Sequence, residues 1–88
     1  MTAEQWAVEF ERRAERDLER LDRQVKERVL GTIDRLAQDP LSADVRKLTG
    51  RRELRLRVGD WRVILELDIA ARAIVIERIL PRGRAYDR

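Results

Sequence analysis

The chain contains no histidine and no cysteine among its 88 residues. The absence of cysteine excludes disulfides, thiolate metal ligands, cysteine nucleophiles and covalent haem attachment. The absence of histidine excludes an imidazole acid–base pair, a serine–histidine triad and any histidine metal ligand. We therefore expect no metal held by cysteine or histidine, and no cofactor. A chain without cysteine fits a reducing compartment, so we expect a cytoplasmic protein.

Long apolar runs are also missing. No run approaches the ~18–20 residues of a membrane span. Acidic residues at Glu4, Glu9 and Glu11 are unlike the start of a signal or transit peptide. We therefore expect no membrane partner. A chain of this length can bury one modest core, so we predict a single domain over residues 1–88.

Charge is abundant, at 42% of the residues against roughly 25% in an average domain. Of the 20 basic residues only Lys26 and Lys47 are lysines, and the formal net charge is +3. Residues 1–44 hold 8 basic and 11 acidic side chains, whereas residues 45–88 hold 12 and 6. This asymmetry suggests a face that meets an anion, most simply nucleic acid. Composition alone is equally compatible with solvated charges over the whole surface.

The first half of the chain has the pattern of a short strand followed by helix. Apolar residues alternate over residues 5–10, which predicts a strand. Apolar residues then recur at steps of three or four, as in an amphipathic helix. A break near residues 21–23, with Asp22 as an N-cap, divides this segment into a helical hairpin. The helical segment ends at Asp39-Pro40, because the residue before a proline disfavours the α region.

The second half of the chain predicts three strands. They follow a loop over residues 41–52 and cover residues 53–58, 61–67 and 73–80. Pro81 stops the last of them, because proline cannot donate to a strand ladder. The order β-α-α-β-β-β predicts an α+β domain in which a two-helix hairpin packs on one face of a mainly antiparallel four-stranded sheet.

Gly59-Asp60 separates the first two of these strands, and Gly-X is the pattern of a two-residue type II′ turn. With this turn, Arg57 lies directly opposite Arg62 and shares a strand face with Arg55. Directly opposed residues share a face, and both strands give the same division into an apolar and a basic face. The apolar face carries Leu54, Leu56, Val58, Trp61, Val63, Leu65 and Leu67.

The basic face is unfavourable for folding alone, because like charges directly across a strand pair destabilise it. An anionic ligand would offset the repulsion between Arg57 and Arg62. A solvated face, with Glu53 and Glu66 screening the arginines, is the alternative that the hairpin leaves open.

The tail after Pro81 is also basic and carries Arg82, Arg84 and Tyr86. If the last strand runs antiparallel to the strand before it, this tail emerges beside the basic face. Taken alone, such a segment is more often a frayed basic terminus.

Three segments of the chain resemble the RelE/ParE toxin superfamily. They are residues 45–50, which read VRKLTG, residues 54–64, which read LRLRVGDWRVI, and residues 82–86, which read RGRAY. Together with length and element order, the resemblance covers essentially the whole chain. It implies a RelE-like fold and a toxin of a bacterial type II toxin–antitoxin system.

Members of RelE type cleave mRNA on the ribosome without a metal, by attack of the 2′-hydroxyl on the neighbouring phosphate. A cognate antitoxin protein neutralises them. The resemblance therefore implies two partners, the antitoxin and mRNA on the ribosome.

The resemblance implies a catalytic set in which Arg62 contacts the scissile phosphate, Arg82 is the arginine of the tail motif and Tyr86 is the general base. Basic side chains around this set are expected to bind RNA. They are Lys47, Arg55, Arg57 and Arg84.

Two departures from the family pattern bear on mechanism. Pro81 stands where many relatives carry a histidine, and arginines replace the lysines of the basic strand. Arginine does not readily give up its proton, so acid–base work falls on Tyr86. Two alternatives stay open: a ParE-like inhibitor of DNA gyrase without a nuclease site, and a non-catalytic module that binds only RNA or the antitoxin.

Overall fold

The computed structural model describes residues 5–40 and 51–82 of the chain. The predicted order of two helices and four strands is confirmed. The elements are β1 (Ala7–Phe10), α1 (Arg12–Arg20), α2 (Arg23–Gln38), β2 (Arg51–Val58), β3 (Trp61–Asp68) and β4 (Ala73–Pro81).

The helical segment breaks where the sequence predicts. Asp22 adopts an extended backbone, and its Oδ1 accepts a hydrogen bond from the Val25 amide at 3.0 Å. This bond satisfies one of the amides that a helix leaves without an intrahelical partner. The α2 helix ends at Gln38, immediately before Asp39-Pro40. In the described parts of the chain, neither helix is long and apolar enough to cross a membrane.

Gly31 lies in the middle of α2, where glycine is a poor helix former. A Cβ built at this position meets only Nη1 of Arg35, at an ordinary contact distance of 3.8 Å. We therefore expect Gly31→Ala to raise the free energy of unfolding by about 1 kcal/mol. Chemical denaturation measures this change. Gly59→Ala is the control of opposite sign, because Gly59 has a φ of 58°. If Gly31→Ala destabilised the protein, the conclusion that a Cβ fits at this position would be wrong.

The four strands form one sheet in the order β1-β4-β3-β2. β2 with β3 and β3 with β4 are antiparallel, whereas β1 runs parallel to β4, so the sheet is mixed. The predicted hairpin register is confirmed, with Val58 opposite Trp61 and Arg57 opposite Arg62. Gly59 has a positive φ and Asp60 does not, which matches a type II′ turn.

The core lies between the helices and the apolar face of the sheet. Val63, Leu65 and Leu67 of β3 point into this core at every second position, but the spacing in β4 changes at a β-bulge. Because Leu65 pairs with Ile76 while Ile64 pairs with Arg78, one extra residue lies between these pairs on β4. Ile76 and Ile79 are therefore both buried although they are three positions apart. The buried cluster contains Ala14, Leu21, Val29, Ile33, Leu36, Ala37, Val58, Val63, Leu65, Leu67, Ile74, Ile76 and Ile79.

Asp17 of α1 bonds to the part of β4 that extends beyond β1. The register of β1 with β4 ends at Ile76. Three positions later, the Ile79 amide donates to Asp17 Oδ2 at 2.9 Å. Arg78 donates to the same carboxylate, from Nε at 2.8 Å and from Nη2 at 3.3 Å. A helix side chain thus takes the place of a neighbouring strand at this end of β4.

The electrostatics of Asp17 follow from these bonds. Burial alone raises the pKa of the Asp17 carboxyl, but the hydrogen bonds from Arg78 and the Ile79 amide outweigh it. The net effect is a pKa below the ordinary value, and the nearby charges of Arg78 and Arg20 lower it further. The carboxylate is therefore charged at neutral pH and tied to β4.

Candidate functional site

The candidate site is the sheet face opposite the core at the hairpin end of β2 and β3. Arg55 and Arg57 are exposed on β2, and Arg57 is directly opposite Arg62 on β3. Arg55 Nη1 lies 4.0 Å from a Glu53 carboxylate oxygen, a long ion pair between exposed side chains that contributes little stability. The structure thus places three of the predicted arginines on one face.

Arg62 differs from the expectation for a solvent-facing side chain. Only 3% of its surface is exposed. Its Nη1 donates to the Trp61 carbonyl at 3.1 Å and to the Gly59 carbonyl at 3.4 Å. These bonds partly compensate the cost of burying a guanidinium. The alternation of strand residues predicted the face of Arg62 correctly, but it did not reveal that the side chain is buried against its own turn.

The chain that follows β4 begins beside this turn. Pro81 pairs with Trp61, and the Arg82 amide donates to the Asp60 carbonyl at 2.8 Å. Arg82 itself is exposed. The expectation that the tail leaves the sheet next to the basic face is therefore confirmed at its first residue. The predicted residues Lys47, Arg84 and Tyr86 lie outside the described residues.

Trp61 packs against the buried cluster, as its place on the apolar face predicts. Its partly buried indole belongs to the core side of the hairpin, where it fixes the strand end that carries Arg62. This arrangement separates the two faces of the hairpin: an aromatic residue anchors one, and arginines occupy the other.

Two further arginines near the hairpin turn were not predicted as site residues. Arg28 and Arg35 of α2 line a groove that also borders Arg57. The spacing of Arg28, Thr32 and Arg35 is a sequence signal, because residues four and seven positions apart share one helix face. That signal could not reveal that this face meets the turn of a hairpin about thirty residues later.

The chemistry available to this face is the binding and stabilisation of anions. Exposed guanidiniums match the geometry of phosphate oxygens and keep their charge at any physiological pH. Fixed positive charges also stabilise negative charge that develops in a transition state. In the ranges that the structure describes, no group of three or more acidic side chains is placed to hold a metal ion.

Comparison with known proteins identifies similar chains. Residues 8–86 match the family described as the ParE toxin of the type II toxin–antitoxin system parDE. No curated protein sequence matches significantly.

Several solved structures that resemble the chain come from toxin–antitoxin complexes. In the archaeal RelE–RelB complex from Pyrococcus horikoshii, the matching chain is 25% identical with a TM-score of 0.77, and the match covers 92% of this chain and 99% of that one. In the RelBE2 complex from Mycobacterium tuberculosis, the matching chain is 25% identical with a TM-score of 0.57, and the match covers 90% of this chain and 100% of that one. In the intact RelBE complex from E. coli, the matching chain is 15% identical with a TM-score of 0.67, and the match covers 86% of this chain and 95% of that one.

Proposed function

Because the chain belongs to the ParE toxin family of type II toxin–antitoxin systems, within the RelE/ParE superfamily, we propose that it is a toxin of RelE type. In this proposal it cleaves mRNA on the ribosome, without a metal, and so arrests translation. Its other partner is a cognate antitoxin, and its site of action is the cytoplasm. The observation that carries the proposal is the gathering of Arg55, Arg57 and Arg62 on one hairpin face, with Arg82 bonded to the adjoining turn.

The proposed reaction needs a base and stabilisation of charge. The mRNA 2′-hydroxyl gives its proton to the base and attacks the adjacent phosphorus. The bond to the 5′-oxygen breaks, which leaves a 2′,3′-cyclic phosphate and a 5′-oxygen that takes a proton from solvent. Negative charge builds on the phosphate oxygens during this step, so nearby guanidiniums lower the barrier.

The described arginines divide this work according to their exposure. Arg55, Arg57 and Arg82 are exposed and can contact phosphates directly. Arg62 is buried opposite Arg57, so it supplies a fixed positive charge and holds the turn to which Arg82 is bonded. A charge in a low-dielectric environment acts more strongly than the same charge in water.

Tyr86 is the proposed base. A free tyrosine has a pKa near ~10, which is too high for a base at neutral pH. Guanidiniums placed beside the tyrosine would favour the phenolate and lower that pKa. The chain has no histidine to act as a base. The arginines of the basic face would therefore also have the task of making a tyrosine usable as one.

The alternative is inhibition of DNA gyrase without nuclease activity. Two observations favour it: the matched family description names ParE, and Arg62 has little surface with which to contact RNA. In this alternative the basic face contacts protein, and Tyr86 has no catalytic role.

Mapping of RNA ends after induction tests the proposal. We expect new mRNA ends with a 5′-hydroxyl inside coding regions within minutes of induction, at positions that depend on translation. The control is co-expression of the antitoxin, which should suppress these ends. Gyrase-dependent DNA breaks without new mRNA ends would refute the nuclease function and select the alternative.

A further inference from the structure

A groove of about 350 Å³ separates α2 from the turn of the β2–β3 hairpin. The helix contributes Arg28, Thr32 and Arg35 to its walls, and the hairpin contributes Arg57 and Gly59. Because β2 is the edge strand of the sheet, Arg57 borders both this groove and the basic face. The groove is therefore contiguous with the candidate site.

The groove has a strong excess of positive charge. Within residues 5–40 and 51–82, neither Arg28 nor Arg57 has a carboxylate partner, and Arg35 bonds to the Thr32 hydroxyl at 3.3 Å. Glu27 also lines the groove, but its carboxylate lies 3.6 Å from Nε of Arg23, one turn earlier on α2. Three guanidiniums thus surround a space in which the only acidic neighbour among the described residues is paired elsewhere.

Two of these guanidiniums contact neighbouring groups that limit their positions. The Arg28 guanidinium covers Gly59, where a Cβ would lie only 2.9 Å from its Nη2. Arg35 Nη2 donates to Thr32 Oγ1, and that hydroxyl donates to the Arg28 carbonyl at 2.9 Å. The Arg35 guanidinium is thus held to its own turn of α2, and the Arg28 guanidinium lies against the hairpin turn, so less side-chain freedom is lost when a ligand binds.

We propose that this groove binds a backbone phosphate of single-stranded RNA next to the nucleotides held by the basic face. The inference rests on the proposed function and adds Arg28 and Arg35 to its RNA-binding residues. Guanidiniums suit the role, because each can donate two parallel hydrogen bonds to a phosphate. The neighbouring Arg57 connects the groove to the face that carries Arg62.

Binding of RNA as a function of salt tests this site. The probe is a short, fluorescein-labelled single-stranded RNA with 2′-O-methyl groups, which a reaction through the 2′-hydroxyl cannot cleave. The test variant is Arg28→Gln with Arg35→Gln. The matched control is Arg12→Gln with Arg16→Gln, which removes the same charge from exposed positions of α1.

Because the proposed site neutralises one phosphate, the slope of log affinity against log salt should fall in magnitude by about 0.7 in the test variant. The control variant should keep the wild-type slope. In the wild type, the amide NMR signals of Gly31, Thr32 and Gly59 should shift as RNA is added. Unchanged thermal denaturation of the test variant would establish that it is folded.

Three results would overturn the proposal. The first is an equal fall in the salt slope of RNA affinity in both variants, and the second is no RNA binding by the wild type. The third is a test variant that binds RNA like the wild type but no longer binds an acidic peptide. The last would assign the groove to protein. If the test variant alone lost RNA binding while the wild type cleaved no mRNA, the groove would be supported as an RNA site and only the nuclease function would be refuted.

Discussion

Tyr86→Phe is expected to lower the rate of mRNA cleavage on programmed ribosomes by about 10²–10⁴-fold, the usual contribution of a general base. The substitution keeps the aromatic ring and removes only the hydroxyl that would accept the proton of the 2′-hydroxyl. The rate is measured under single-turnover conditions, so that product release does not mask the chemical step. Thermal denaturation should give the wild-type midpoint.

Arg88→Gln is the control for this experiment, because it changes the same tail without removing a proposed site residue. We expect it to cleave at close to the wild-type rate. Cleavage by Tyr86→Phe at the wild-type rate would show that the tyrosine is not the base. A small loss shared with Arg88→Gln would instead show that the tail acts only through its conformation or charge.

Asp17→Ala is expected to lower the free energy of unfolding by about 3 kcal/mol at neutral pH, because removing one partner of a partly buried ion pair leaves the other without compensation. Only 11% of the Asp17 side chain is exposed, and 29% of the Arg78 side chain. We take the lower end of the usual range because Arg78 keeps some contact with water. The Ile79 amide also loses its acceptor. Chemical denaturation measures the difference.

The effect of Asp17 should depend on pH in a defined direction. Its pKa in the folded chain lies below the ordinary value of an unfolded aspartate, about 3.9. The ionised carboxylate therefore contributes its full stabilisation above the unfolded pKa and loses it as the pH falls through the folded pKa. The difference between wild type and Asp17→Ala should be constant near neutral pH and shrink below about pH 4.

Asp34→Ala is the matched control for stability. Asp34 is exposed, and its described partners are the side-chain amides of Gln5 and Gln38. We expect a loss of less than about 0.5 kcal/mol, as for other surface substitutions, and no comparable pH dependence. Equal losses for the two aspartates would contradict the role given to the contact between α1 and β4.

The hairpin and the helical break could be predicted from sequence because local rules determine them. Alternation with period two on both sides of Gly59-Asp60 specifies which residues face each other, and a slip of one residue would place the arginines of one strand on the core face. Asp22 interrupts the helical pattern with a side chain suited to an N-cap. In both places the necessary information lies within a few residues.

Features that depend on distant partners could not be predicted in this way. The parallel pairing of β1 with β4 has no signal in either strand. The contact of Asp17 with Arg78 joins residues 61 positions apart, and such charges are ordinarily solvated. The bulge that places both Ile76 and Ile79 in the core breaks the strand period on which the prediction depends. Exposure of Arg62 depends on side-chain conformation, which alternation does not specify.

The parallel pairing of β1 with β4 also determines the order in which the chain can fold. The helical hairpin and the β2–β3–β4 meander consist of contacts between neighbours in sequence, which form quickly. β1 is synthesised early but has no partner until β4 has been made, and Asp17 likewise waits for Arg78. During synthesis the sheet is therefore incomplete while β4 is still inside the ribosome. Arg82 follows β4 and its amide bonds to the hairpin turn, so this part of the candidate site likewise joins the basic face only after β4 has left the ribosome.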